Sequence, residues 1–159
     1  MEKYVITTEN TADLPHSYYK EHQVEYMYLT YQLDGITYNK ENELDFKEFY
    51  SRMRAGSMPT TSQVNSEEAK DVLRPLLEAG NDVLHLAFSS GLSGSYNSVR
   101  LAAEELKEEY PDRKILVVDS LCASLGEGLF VYKAVQMKEA GASVDEVAAW
   151  LEEHKQNFC

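Results

Sequence analysis

The chain has little cysteine and no histidine clustering, and both absences bear on its chemistry. Cys122 and Cys159 are the only two cysteines among 159 residues. Two isolated thiols form neither a disulfide framework nor a zinc site. Three of the four histidines, His16, His22 and His154, lack the spacing of metal ligands. The sequence therefore predicts no metal site.

The chain also has little positive charge. Fifteen basic residues stand against 27 acidic residues, which gives a formal net charge of -12. A surface of this charge repels nucleic-acid phosphates and anionic lipid headgroups, so neither is an expected partner. A single small anion is still allowed, because a local group of donors can outweigh a distant net charge.

Long apolar runs are absent as well. The sequence has no N-terminal apolar signal region and no run long enough to span a bilayer, so we do not expect an integral membrane protein. Its hydrophobic fraction of 43% and charged fraction of 26% are typical of a globular chain of about one domain. We expect a cytoplasmic, reducing location.

Alternating strand and helix patterns predict an α/β fold with a parallel sheet covered by helices. The predicted strands are Tyr4–Thr8, Val24–Leu33, Ile36–Tyr38, Asp82–Phe88 and Lys114–Asp119. The predicted helices are His16–His22, Asp45–Arg54, Ser66–Ala79, Tyr96–Tyr110, Leu125–Ala140 and a last one capped by Ser143. Asp34-Gly35 predicts a β-hairpin turn. Thr11 or Asp13 is expected to cap the first helix, and Asn65 or Ser66 the third.

The segment from Ser89 to Ser95, here called the serine loop, is the strongest functional signal. It follows a buried strand and precedes a helix, so it joins small hydroxyl and glycine residues to a helix N-terminus. Such a terminus offers unpaired N–H groups and the positive end of the helix dipole. The pattern predicts a site for a carboxylate or a phosphate.

Three further polar segments are expected near the same sheet edge, because ligands bind outside the carboxyl ends of parallel strands. They are Thr8–Thr11, Thr60–Gln63 and Asp119–Ser124. Their hydroxyls and scarce basic residues suit a single carboxylate better than a polyphosphate. Neutral hydrogen bonds contribute only about 0.5–1.5 kcal/mol each. Tight binding therefore needs an apolar tail, which contributes about 0.8 kcal/mol per buried CH₂ group.

These motifs together resemble the DegV family of bacterial fatty-acid-binding proteins. The resemblance rests on Thr61-Ser62-Gln63, on the serine loop, and on Asp119-Ser120 followed by Ser124, Gly126 and Gly128. Two positions depart from the family pattern. Ser95 stands where threonine is usual, and Thr8-Glu9-Asn10-Thr11 stands where the family usually has Thr-Asp-Ser-Thr.

The resemblance implies a lipid carrier rather than an enzyme, with an EDD-like, three-layer fold. Residues 1–159 would form the N-terminal α/β domain, and the family's C-terminal domain would be absent. Hydroxyls corresponding to Thr61 and Ser93 hold the fatty-acid carboxylate in the family; Ser62, Ser90, Gly94 and Ser95 are the expected supporting residues. The implied ligand is a long-chain acid such as palmitate, without any cofactor. Some members present the acid to a separate fatty-acid kinase.

Other interpretations remain open at this point. Ser93 is equally explained as the N-cap of the following helix, and Thr61 as an ordinary loop residue. Asp119-Ser120 is better explained as a strand-to-loop turn than as a ligand contact, and His85 as a satisfied core histidine. A protein-interaction domain with a vestigial cleft is the alternative function. A small-anion-dependent enzyme is less favoured, because the chain lacks the G-x-S-x-G elbow and a Walker lysine.

Overall fold

Four parallel strands form the centre of the computed structural model, which describes residues 3–158. The strands of the chain are β1 (Tyr4–Glu9), β2 (Glu25–Met27), β3 (Tyr31–Leu33), β4 (Ile36–Tyr38), β5 (Thr60–Thr61), β6 (Asp82–Ala87) and β7 (Ile115–Asp119). The helices are α1 (His16–Glu21), α2 (Phe46–Arg54), α3 (Ser66–Glu78), α4 (Ser95–Glu109), α5 (Ser124–Glu139) and α6 (Val144–His154). Short 3₁₀ turns cover Asn10–Ala12 and Lys155–Phe158.

The parallel sheet has the strand order β2-β1-β6-β7. From β1 the chain moves outward to β2, and it later returns to the other side of β1 to form β6 and β7. The topological switch point therefore lies between β1 and β6. In open α/β sheets, the crevice at the carboxyl ends of such a strand pair is where ligands bind.

Helices cover both faces of this sheet, which confirms the predicted three-layer α/β fold. One face buries Ile6, Leu84 and Leu86 in the same apolar cluster as residues of α5 and α6, including Phe130 and Leu151. The opposite face forms a second cluster with α3 and α4. Its buried members include Leu73, Val83, Val99, Leu106 and Ile115. Because both faces are buried, the central strands are continuous apolar runs.

The predicted hairpin at Asp34-Gly35 is confirmed. Leu33 pairs with Ile36 across the turn, and both turn residues have positive φ angles of 53° and 78°. Positive φ at both central positions is what a two-residue type I′ hairpin requires. The hairpin belongs to a second, antiparallel sheet with the order β4-β3-β5.

The prediction of one strand over Val24–Leu33 is wrong, because the segment divides between the two sheets. β2 pairs with β1, whereas β3 pairs with β4 and β5. Between them, the Leu29 N–H donates to Asn10 Oδ1 at 2.8 Å, and the Thr30 carbonyl accepts from Ser62 N–H at 2.9 Å. These two bonds hold the segment between β2 and β3 in place. They also connect the end of β1 with the segment that contains Thr61.

Two of the predicted helix caps are present, and one is wrong. Asn65 and Ser143 each form a capping box with the glutamate three residues later, which satisfies backbone donors at the start of α3 and α6. Neither Thr11 nor Asp13 caps α1, whose N-cap is Pro15. Asp13 instead adopts a left-handed conformation, with φ 51°, directly after the 3₁₀ turn Asn10–Ala12.

No helix within residues 3–158 is long and apolar enough to cross a membrane. Cys122 is buried. Cys159 lies outside the described residues, so the absence of a disulfide stays a prediction.

Gly126 and Gly128 of α5 offer a matched test of close packing against the end of β1. A Cβ at Gly128 would lie 2.5 Å from the Ala12 carbonyl oxygen, whereas a Cβ at Gly126 would have only ordinary contacts at 3.5 Å or more. We expect Gly128→Ala to lower the free energy of unfolding by about 1–3 kcal/mol through overpacking. Gly126→Ala should leave it unchanged or raise it by up to about 1 kcal/mol through helix propensity.

Urea denaturation of the two variants and the parent chain measures this difference directly. Equal stabilities for the two variants would show that α5 does not press against the end of β1.

Candidate functional site

The serine loop lies at the carboxyl ends of β6 and β7, where the parallel sheet opens. Its first residues are anchored to the segment that follows β7. The Ser89 N–H donates to the Cys122 carbonyl at 3.0 Å, and the Ser90 N–H donates to Asp119 Oδ1 at 3.1 Å. The loop then turns tightly, because the Leu92 and Ser93 N–H groups both donate to the Ser89 carbonyl, at 3.0 and 3.1 Å.

Asp119 organises two loops with one carboxylate oxygen. Besides Ser90, the Leu121 N–H donates to Asp119 Oδ1 at 3.1 Å, and Leu121 itself has a left-handed φ of 57°. Such a conformation costs a non-glycine residue about 1–2 kcal/mol, so surrounding contacts must hold it. These contacts match the predicted role of Asp119 as a turn residue, and they show that it also positions the serine loop.

A buried serine joins the serine loop to the segment that follows Thr61-Ser62-Gln63. Ser95 is fully buried, and its Oγ accepts a hydrogen bond from Val64 N–H at 3.0 Å. The Ser95 N–H donates to Ser93 Oγ at 3.1 Å, and the two serine Oγ atoms lie 3.0 Å apart. Ser95 therefore fixes both Val64 and the Ser93 hydroxyl.

The Ser93 hydroxyl keeps a hydrogen that it can donate to a ligand. Only one hydrogen can lie between the two Oγ atoms. If Ser95 donates it, the buried Ser95 hydroxyl is satisfied as donor and acceptor, and the Ser93 hydroxyl keeps its own hydrogen. The reverse arrangement leaves a buried hydroxyl hydrogen of Ser95 without a described acceptor, which costs free energy. The partly exposed Ser93 is thus the member whose hydroxyl hydrogen remains available to another acceptor.

Gly94 leaves room for the Gln63 side chain where the two loops meet. Gln63 lies so close to Gly94 that a Cβ on residue 94 would overlap Gln63 Oε1. Gly94 is also the N-cap of α4 and, as a glycine, offers no side-chain cap; the first N–H of the helix, that of Ser95, donates to Ser93 Oγ instead. Of the two roles that the sequence left open for Ser93, the N-cap is wrong, because the helix begins one residue later.

Thr61 and Ser62 lie beside this junction and are exposed. Thr61 pairs with Tyr31 in the antiparallel sheet, and the Ser62 N–H is held by Thr30. No hydrogen bond within residues 3–158 joins the Thr61 side chain to the serine loop. The structure thus brings together Gln63, Gly94 and Ser95. The Thr61 hydroxyl, two residues before Gln63, forms no hydrogen bond with another described residue.

Two buried acids at the same edge are missing from the sequence prediction. Glu9 and Glu127 are both fully buried. Burial, together with the nearby Glu9, raises the pKa of Glu127 to about 9, although hydrogen bonds from Thr11 and Thr8 oppose the shift. Glu9 departs from the aspartate usual in its motif, which is the one signal in the sequence that marked this position.

His85 is only half satisfied. It is buried, as the sequence predicts, and its Nδ1 lies 2.9 Å from Thr7 Oγ1. Its Nε2 lies 3.4 Å from Glu9 Oε1, and neither of these two atoms has a hydrogen-bond partner among the described residues.

Known proteins share both the sequence pattern and the fold. A family model described as "Uncharacterised protein, DegV family" matches residues 3–159. The DegV domain-containing protein CPE0026 of Clostridium perfringens is 47% identical over 161 residues, which cover 100% of this chain and 55% of that protein.

Two solved structures are similar to nearly all of this fold. A stearic-acid-binding protein from Eubacterium ventriosum matches with a TM-score of 0.85 at 31% identity, over 94% of this chain and 52% of that one. A DegV family protein from Thermus thermophilus, described by its fatty-acid binding, matches with a TM-score of 0.84 at 36% identity, over 98% of this chain and 54% of that one. The chain spans about half the length of these relatives. The match of the family model over nearly every residue shows that this chain belongs to the DegV family.

Proposed function

We propose that this domain binds the carboxylate of a long-chain fatty acid through the hydroxyls of Thr61 and Ser93. Ser62, Ser90, Gly94 and Ser95 form the supporting loops. The observation that carries the proposal is the Ser93 hydroxyl, whose hydrogen remains available while Ser95 holds its oxygen in place. A hydrogen bond from this hydroxyl to a charged oxygen is stronger than one to a neutral acceptor.

The electrostatics of the loop favour a single anion despite the acidic surface. Helix α4 has 15 residues, and its first turn contains no acidic side chain. The positive end of its dipole therefore faces the serine loop without a competing carboxylate on that turn. This arrangement suits a carboxylate, which carries one negative charge.

Apolar side chains beside the two loops suit the tail of such a ligand. Leu92, within the serine loop, is 68% exposed, and Met58, three residues before Thr61, is 83% exposed. Large apolar groups exposed near a polar site are typical of ligand-binding surfaces. The similar proteins from Eubacterium ventriosum and Thermus thermophilus are described as binding fatty acids, which supports the same class of ligand here.

Comparing a fatty acid with its methyl ester tests the carboxylate contact. Palmitate and methyl palmitate share the same tail, so only the acid should shift the amide resonances of the serine loop in an NMR titration. Shortening the acid should weaken binding by about 0.8 kcal/mol for each buried CH₂ group lost. Equal shifts with acid and ester would contradict a carboxylate site.

Thr61→Val and Thr60→Val form a matched pair of tests in β5. Neighbouring side chains of a strand point to opposite faces, so only one of the two hydroxyls can serve the site. Thr61→Val should weaken acid binding by about 1.5–3 kcal/mol, the usual contribution of a hydrogen bond to a charged group. Thr60→Val should leave the dissociation constant for palmitate unchanged. Equal effects of the two changes would remove Thr61 from the site.

Ser93→Ala should weaken palmitate binding by a similar amount, about 1.5–3 kcal/mol. The free energy of unfolding should fall by only about 1 kcal/mol, because the variant loses the partner of Ser95 and not a helix cap. Calorimetric titration and urea denaturation measure the two effects separately, with Ser51→Ala on the exposed side of α2 as the control. An unchanged dissociation constant would count against Ser93 as a ligand contact.

The finer part of the proposal is that the bound acid is presented to a separate kinase, which phosphorylates its carboxylate. It is supported by the exposure of Ser90, Gly91 and Gly94, because a headgroup bound beside these residues would be accessible to a second protein. Acid-loaded protein, ATP and an extract of Clostridium perfringens should yield acyl phosphate, trapped as a hydroxamate. A yield independent of the loaded protein would contradict this part alone.

A further inference from the structure

The acid pair Glu9 and Glu127 lies at the switch point of the sheet, next to the residue that precedes the serine loop. Glu9 ends β1, and its Oε2 accepts a hydrogen bond from Phe88 N–H at 2.8 Å. Phe88 is the residue between β6 and the serine loop. Glu9 thus holds the point at which the loop leaves the sheet.

The oxygens around Glu127 reveal where a proton must be. Thr8 Oγ1 lies 2.8 Å from the Leu86 carbonyl oxygen and 3.1 Å from Glu127 Oε1. A hydroxyl has one hydrogen, and the carbonyl oxygen can only accept. With that hydrogen on Leu86, the contact between Thr8 and Glu127 is a hydrogen bond only if Glu127 donates.

The groups around Glu9 favour an ionised carboxylate, in contrast to those around Glu127. Its Oε2 faces a backbone N–H, and its Oε1 faces His85 Nε2 at 3.4 Å. If the Thr7 hydroxyl donates to Nδ1 of His85, then Nε2 carries the hydrogen and points it at Glu9. Glu9 Oε2 then accepts a hydrogen bond, and Oε1 lies near the N–H of His85 without forming one. Neither neighbour is an acceptor for a proton on Glu9, so this carboxyl serves best as an ionised acceptor.

We propose that Glu127 carries the one proton of this acid pair, which it donates to Thr8, and that the ionised Glu9 is a positioning residue for the serine loop. The proposal rests on the proposed function, because the loop it positions carries Ser93. The raised pKa of Glu127 agrees with this arrangement. Other groups also face the pair: Thr11 donates to Glu127 Oε2 at 2.9 Å, and the remaining titratable groups around it are Asp13, Tyr19 and His85.

Retaining this proton makes stability depend on pH. Between about pH 4.5 and about pH 9, the folded chain keeps a proton that the unfolded chain releases. Rising pH therefore favours unfolding over this window, by a factor that approaches about tenfold per pH unit. Glu127→Gln mimics the protonated acid and should remove this slope, whereas Glu108→Gln on the exposed face of α4 should leave it unchanged.

Carboxyl ¹³C NMR of the unmodified chain is the decisive measurement, and it needs no ligand. The Glu127 carboxyl should titrate near pH 9. Glu9→Gln should move the Phe88 amide proton upfield, because a neutral amide accepts more weakly than a carboxylate. It should also weaken palmitate binding about fivefold, and Glu127→Gln should change binding much less.

Each outcome separates this proposal from the proposed function. Titration of Glu127 in the ordinary range of glutamate, near pH 4–5, overturns the proton on Glu127. An unmoved Phe88 resonance in Glu9→Gln overturns the positioning role. If the chain binds no fatty acid, the carboxyl titration and the Phe88 shift still decide the proposal, and only the proposed function fails.

Discussion

The parallel pairing of β1 with β6 is the constraint on which the rest of the structure depends. It aligns Thr7 with His85, so the ends of both strands reach the same level of the sheet. The Glu9 carboxylate can then hold Phe88 N–H, and the serine loop leaves the sheet beside β7, where Asp119 holds Ser90. Sheet register, rather than any property of the loop itself, determines where the serine loop stands.

Small residues at the start of α4 hold the loops of the site together. Ser95 joins the serine loop to Val64, 31 residues earlier in the sequence, through one bond to Val64 and two contacts with Ser93. Gly94 lets Gln63 close over the junction. The proposed site therefore consists of neutral donors in fixed positions, the arrangement by which a strongly acidic chain would accept an anion.

The sequence was sufficient for the three-layer fold, the Asp34-Gly35 hairpin and most helix bounds, because each depends on local periodicity and turn chemistry. It was not sufficient for the break after Met27, which depends on bonds from Asn10 and Ser62, both distant in sequence. The role of Ser95 was likewise unpredictable, since its partner Val64 approaches only in the folded chain. Glu127 lies near the start of a helix, where an acidic residue is ordinary, and only its burial beside Glu9 in the folded chain makes it unusual.

Native mass spectrometry of the purified protein, with extraction and identification of any bound lipid, tests the central claim most directly. The account predicts a mass increase equal to one long-chain fatty acid, either on the protein as purified or after addition of palmitate. It also predicts that organic extraction removes this increase. A protein that carries no lipid and takes up no added palmitate would contradict it.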